Sequence, residues 1–195
     1  IIESGVEFGA LPVGEYAGDM ARIEAGLILV SADYAGAGPD EKCANVTVDK
    51  QLTISPIEAG LSRLVEYDVR KFVGKEALEA SASSKDQNCF LGLHINLQDL
   101  IDIYVKAKRP DEMLSRVYWG STKVYLNDNI IGRASSVCWS PTLNKAIAFC
   151  FVKKEVIGIG DNIDLEIKSA DGSVIGLVSA DVVNLPFVKI KRSEN

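Results

Sequence analysis

Beyond about residue 88, β-branched and aromatic residues recur in short runs: FLGLHINL, VYWGSTKVYLN, IIGRASSVCWS, AIAFCFV, NIDLEIKS and VIGLVSADVV. Their rough period-two alternation buries one face of a strand and wets the other. Asn-Asp-Asn, Gly-Ile-Gly-Asp and Ala-Asp-Gly stand between runs, where tight turns are needed. Short, regularly spaced strands of this kind predict an antiparallel barrel or sandwich. One stretch breaks the pattern, from Leu100 to Arg116, and its Asp, Lys, Arg and Pro content reads as a short helix or a long exposed loop.

Before residue 88 the pattern is helical. Ile1, Ile2, Val6 and Phe8 fall partly at helical spacing, a turn follows at Gly9 to Gly14, and a short helix through Tyr16 to Ile23 leads into the apolar run AGLILV. From Ala35 to Lys50 the residues turn to Gly, Pro, Asp, Glu and Lys, an exposed insertion. Ser55-Pro56-Ile57-Glu58 reads as a helix start, with serine capping, proline in the first turn and a carboxylate where the dipole favours it. Residues Ala59 to Val65 then carry apolar side chains toward the core. The small, polar stretch EASASSKDQN reads as a boundary, which divides the chain into residues 1–79 and 86–190 and makes the fold class α+β.

Composition removes several functions. A net charge of -6 and a pI near 4.9 argue against a chain that neutralises phosphates along nucleic acid. No run reaches the ~18 to 20 apolar residues of a membrane-crossing helix, and no secretory signal is visible. Cys43, Cys89, Cys138 and Cys150 form no C-x-x-C pair, so free thiols in a reducing, cytoplasmic compartment are the expectation. The chain begins at Ile1 as though inside a helix, which suggests a fragment or processed form.

Chemistry-bearing residues are few. His94, the only histidine, lies in an alternating strand run and reads as structural. Asp33, Asp40, Glu41 and Asp49 lack the pattern of a calcium loop and read as a solvated acidic surface, and no metal site is expected. Glu24 sits at the entrance of an apolar run, where an unpaired carboxylate is costly. It has two readings: an ion pair with Arg22 or another cation, or recognition of a ligand with two adjacent N–H donors, such as the edge of a pterin. Arg70 and Arg192 are basic residues that, on their own, read as surface charges.

Five blocks bring in a known family. ARIEAGLILVSADY, TISPIEAGLSRLV, FVGKEAL, IGRASSVCWSPTLNKAIAFCFV and VVNLPFVKIKR occur in this order across almost the whole chain. Together they resemble the C-terminal half of the aminomethyltransferase (glycine-cleavage T-protein) family. The resemblance implies the tail of a mixed α/β folate-binding domain followed by an antiparallel Greek-key β-barrel, and tetrahydrofolate as cofactor. It also implies one-carbon transfer from a small amine or methyl donor. By matched position it assigns Glu24 to the pterin and Arg70 and Arg192 to folate contacts. The family's catalytic aspartate belongs to the N-terminal half, so no catalytic residue is expected here, and the missing half or a lipoyl carrier protein is an expected partner. Arg63, the Ser136-Val137-Cys138-Trp139 stretch and the insertion depart from the glycine-cleavage pattern. They resemble the wider group of folate-dependent demethylases and folate modules fused to flavin enzymes. The alternative is a non-catalytic folate-binding or iron-sulfur-assembly type of module on the same scaffold.

Overall fold

A computed structural model of the chain describes residues 2–36, 53–68, 70–84 and 87–189. Helix α1 (Ile2–Gly5) runs into a 3-10 turn, Val6–Phe8, that ends at Gly9 in the left-handed region at φ 75°. Helix α2 (Glu15–Glu24) follows and buries Ile23 and Asp19 on one side. Ser55 and Glu58 form the reciprocal cap their spacing predicts: Glu58 N donates to Ser55 Oγ at 3.2 Å, and Ser55 N to Glu58 Oε2 at 2.9 Å. The cap closes one turn rather than a helix, because Gly60 leaves at φ 73°. Of the apolar residues beyond it, Ala59 is buried but Leu64 is exposed. The stretch read as a boundary linker is helical as far as Ser83, in α3 (Lys75–Ser83). Its alanines and serines can form helix without an apolar face to advertise it. Most of the expected insertion lies outside the described residues, as does Cys43.

The second half is a closed barrel. Strands β1 (Asn88–Ile95), β2 (Thr122–Leu126), β3 (Asn129–Ser140), β4 (Lys145–Lys153), β5 (Asn162–Lys168) and β6 (Val174–Val183) are all antiparallel to their neighbours, in the order β1-β4-β3-β2-β5-β6, with β6 returning to β1. Closure removes the unpaired edges that make open sheets liable to aggregate. Strands β2 to β4 follow one another and β1 lies beside β4, a Greek key. Each strand overlaps a run predicted above, with β1, β3 and β4 reaching one or two residues past it, but Val117 to Gly120 stay outside β2 and touch the sheet through a single bridge, Tyr118 to Val137.

The long connection after β1 holds helix α4 (Leu97–Lys106). Asn96 caps it by accepting from Gln98 N and Asp99 N, and Lys106 sits in its last turn, where the dipole favours a cation. Leu100 and Tyr104 join the barrel interior, and Ile103 lies over Gly176, where a Cβ would stand 2.9 Å from its Cγ2. The interior also holds Leu93, Val124, Ala148, Cys150, Leu165 and Val182. A second cluster lies outside the sheet, where Ile147, Phe149 and Phe151 of β4 meet Ile23, Met20 and Ile28 from α2 and the segment after it. Strand β4 is therefore buried on both faces, which is why AIAFCFV is unbroken by polar residues. Among the described residues no helix is long and apolar enough to cross a membrane.

Candidate functional site

Glu24 ends α2, half-buried, and meets the hairpin that joins β3 to β4. Ser140 Oγ donates to its Oε1 at 2.6 Å, Thr142 N to the same oxygen at 3.3 Å, and Thr142 Oγ1 to Oε2 at 2.8 Å. The backbone of Glu24 is bound as well, its carbonyl accepting from Val188 N at 3.0 Å. Helix α2, the β3–β4 hairpin and the segment after β6 thus converge on one residue.

Arg22 is not the partner of Glu24. Its Nε donates to Asp19 Oδ1 at 2.6 Å, its Nη1 to Asp33 Oδ2 at 2.6 Å, and its Nη2 to Ser136 Oγ at 2.8 Å. The guanidinium also lies over Phe149, 5.6 Å from the ring centroid. Trp119 Nε1 donates to the other oxygen of Asp19 at 2.5 Å, which ties the segment before β2 to α2.

Asp33, read from the sequence as part of a solvated acidic surface, is fully buried. Besides Arg22, its carboxylate accepts from Leu29 N at 2.8 Å, Ser135 Oγ at 2.7 Å and Ser136 Oγ at 2.5 Å. Its backbone oxygen accepts from Arg133 Nη2 at 2.7 Å. A carboxylate withdrawn from water is tolerated when its lone pairs are filled by donors and a cation, as here. The other acidic residues of that group, Asp40, Glu41 and Asp49, lie outside the described residues.

The strand itself is reshaped to serve Asp33. Adjacent residues of a regular strand point to opposite faces, yet Ser135 and Ser136 both reach the same carboxylate oxygen. Between Ser135 and Cys138 the β3–β4 register shifts, and Ser136 adopts φ 53°. Such a bulge turns a second hydroxyl to the outer face.

The remaining predicted residues are not drawn into this site. Arg70 is exposed in the irregular stretch before α3, and no hydrogen bond or ion pair among the described residues joins it to Glu24. Arg192 lies outside the described residues. His94 stacks on Phe187 at 5.8 Å, with Nδ1 3.4 Å from Lys145 Nζ, beside a cavity of about 280 Å³. Burial and then the Lys145 ammonium hold its pKa below the usual imidazole value. Cys89, Cys138 and Cys150 are free thiols, and burial pushes Cys138 up to about 12 and raises Cys89 and Cys150 too, so they stay protonated. Among the described residues no group of three His, Cys, Asp or Glu could hold a metal ion.

Asp33, Ser135, Ser136, Ser140 and Thr142 were not singled out from the sequence as partners of α2. The hydroxyl contacts join residues more than 100 positions apart, and of the links to α2 only the Arg22–Asp33 pair is nearer in sequence.

Residues 105–189 match the family model described as the glycine cleavage T-protein C-terminal barrel domain. A probable aminomethyltransferase of Pyrococcus abyssi is 31% identical over 170 residues, which cover 87% of this chain and 36% of that protein. An aminomethyltransferase of Pseudothermotoga lettingae is 28% identical over 189 residues, 97% of this chain and 41% of its own length. The crystal structure of glycine cleavage system aminomethyltransferase T from Bartonella henselae superposes with a TM-score of 0.59 at 23% identity, covering 88% of this chain and 38% of that one. The chain thus spans between a third and a half of the length of these proteins.

Proposed function

The chain belongs to the aminomethyltransferase (glycine cleavage T-protein) family through its C-terminal barrel, and from that premise we propose that it is the folate-holding part of a tetrahydrofolate-dependent one-carbon transferase. The observation that carries this reading is the fixed carboxylate of Glu24. Three donors hold it in one orientation, and of about four lone-pair positions, one on Oε2 stays open. A pterin N–H would fill that position. A two-point contact with the adjacent exocyclic amine would displace the longest of the three bonds, Thr142 N at 3.3 Å. On this reading the open position on Oε2 is the one that the cofactor's edge would engage first.

Tetrahydrofolate, when bound, supplies the nitrogen that takes up or releases the one-carbon unit. The contribution of this chain is orientation: α2 and the hairpin hold the carboxylate still, and fixed orientation can supply several kcal/mol of a barrier. Arg70 and Arg192 are the proposed contacts for the rest of the folate. The donor, a small amine or methyl compound, and the group that positions it would belong to the part of the relatives that this chain does not span. A lipoyl carrier protein is the proposed partner of a glycine-cleavage role.

Titration of 5-formyltetrahydrofolate tests the reading. Glu24→Ala should weaken binding more than about tenfold, since a charge-assisted hydrogen bond contributes about 1.5–3 kcal/mol. Equal affinities of the two proteins would reject the role given to Glu24.

One observation favours a second reading, a non-catalytic module on the same scaffold. Glu24 already pins α2 to the barrel and borders neither the 280 Å³ cavity nor the larger one at the barrel mouth. On that reading Glu24→Ala costs stability and leaves folate binding unchanged.

A further inference from the structure

The barrel core is not sealed at the end where β2 begins and β5 finishes. A cavity of about 1280 Å³ lies there, between the segment after α4 and the turn that joins β5 to β6. Barrel mouths are a recurrent setting for small-ligand sites. Tyr104 and Ile167, both part of the interior cluster, border it, and Tyr118 and Trp119 add aromatic wall.

Thr122 sets this cavity apart from a packing gap. Its side chain is buried, the residue being 2% exposed, and Oγ1 has no hydrogen-bond partner among the described residues. A buried hydroxyl left unsatisfied is unfavourable, and native proteins keep few such groups unless something outside the chain completes them. Valine would fill the same strand position without that cost.

Charge narrows the ligand class. Glu15, Asp111, Glu112 and Asp171 border the cavity against only Arg116 and Lys168. Lys168 is already committed to Ser121 O and lies 3.5 Å from Glu166. Arg109 in turn holds Asp171 at 2.9 Å and lies 3.7 Å from Glu112, so the carboxylates left to a ligand are Glu15 and Asp111, and the aromatic faces also attract cations.

We propose that the barrel mouth binds a small aromatic amine that carries a hydrogen-bonding ring substituent. The ring packs against Tyr118 and Trp119, its substituent pairs with Thr122 Oγ1, and its ammonium lies toward Glu15 and Asp111. Glu24 does not border this cavity, so the site stands or falls apart from the folate reading.

Tyramine is the probe, and Trp119 is the reporter. The chain has two tryptophans, so Trp139→Phe leaves only the one in the cavity. Tyramine should change its fluorescence saturably, while p-cresol and n-butylamine, which lack the charge or the ring, bind at least about tenfold more weakly. Thr122→Val should weaken tyramine about three- to tenfold, the worth of one neutral hydrogen bond, and Thr122→Ser should restore it. Glu15→Gln with Asp111→Asn should lower the affinity and remove its salt dependence. These two positions are exposed, so that variant decides the matter should Thr122→Val not fold. Absence of saturation, equal binding of p-cresol or n-butylamine, or full affinity in the rim variant would overturn the proposal.

Discussion

Ser136 Oγ lies 2.5 Å from Asp33 Oδ1, and a left-handed residue in the middle of a strand puts it there. The same hydroxyl accepts from Arg22 Nη2, so one bulge closes a ring of carboxylate, hydroxyl and guanidinium between α2, the segment after it and β3.

Removing the carboxylate should show what this ring is worth. Asp33→Ala removes one of the two carboxylates that hold the half-buried Arg22, leaving Asp19, and takes the acceptor from Leu29 N, Ser135 and Ser136. The expected loss is about 3–5 kcal/mol of unfolding free energy, the usual result of breaking a buried pair from one side. Ser136→Gly keeps the backbone geometry and should cost about 1 kcal/mol, one hydrogen-bonding group. Urea denaturation of the two variants measures both, and a loss for Asp33→Ala no larger than that for Ser136→Gly would show the network to be weakly coupled.

The hairpin pins of Glu24 can be separated from its proposed ligand. Ser140→Ala should cost about 1 kcal/mol of stability, because its hydroxyl also accepts from Leu143 N within the turn. Thr142→Ala should cost less and leave 5-formyltetrahydrofolate affinity equal to or above that of the unaltered chain, since it frees Oε2. A large loss of affinity in Thr142→Ala would place the threonine, rather than Glu24, against the ligand.

Acid should loosen the junction of the two halves through Glu58. Burial pulls its pKa upward, but hydrogen bonds from the backbone and side chains of Ser55 and Asn88 outweigh that and hold it below the usual glutamate value. A carboxyl whose folded pKa is depressed contributes stability that is fully present above its unfolded pKa, about 4.3. That stability is lost as pH falls through the folded value. Urea midpoints measured downward from about pH 5 should therefore fall more steeply for the unaltered chain than for Glu58→Gln, and parallel curves would contradict the assignment.

His94 offers a clean titration, being the only histidine. Burial first and the Lys145 ammonium second push its pKa down, with Asp181 pulling the other way. Its NMR titration should fall below that of a free imidazole. Lys145→Met should move it up, and no movement would remove Lys145 as a cause.

The sheet was legible because its strands need one apolar face, and all six runs contain one. Where another force decides the structure, the pattern misleads. Val117 to Gly120 have strand-like residues but border the cavity instead of pairing, apart from the Tyr118 bridge. The EASASS stretch looked like a linker because its residues are small and polar, yet nothing in them opposes a helix. The site was half legible. Glu24 stands out by its apolar neighbours, but the surroundings of Asp33 come from β3, so its burial could not be read from the acidic residues beside it in sequence.

Strand β4 serves as inner wall to one core and as floor to another. Peeling α2 away would take Ile23 and Met20 from the cluster around Ile147, Phe149 and Phe151 and partly uncover it, and opening the barrel would take away the surface on which α2 rests. Heat should therefore melt the helical layer and the barrel in a single transition, with the amide protons of β4 the last to exchange with solvent.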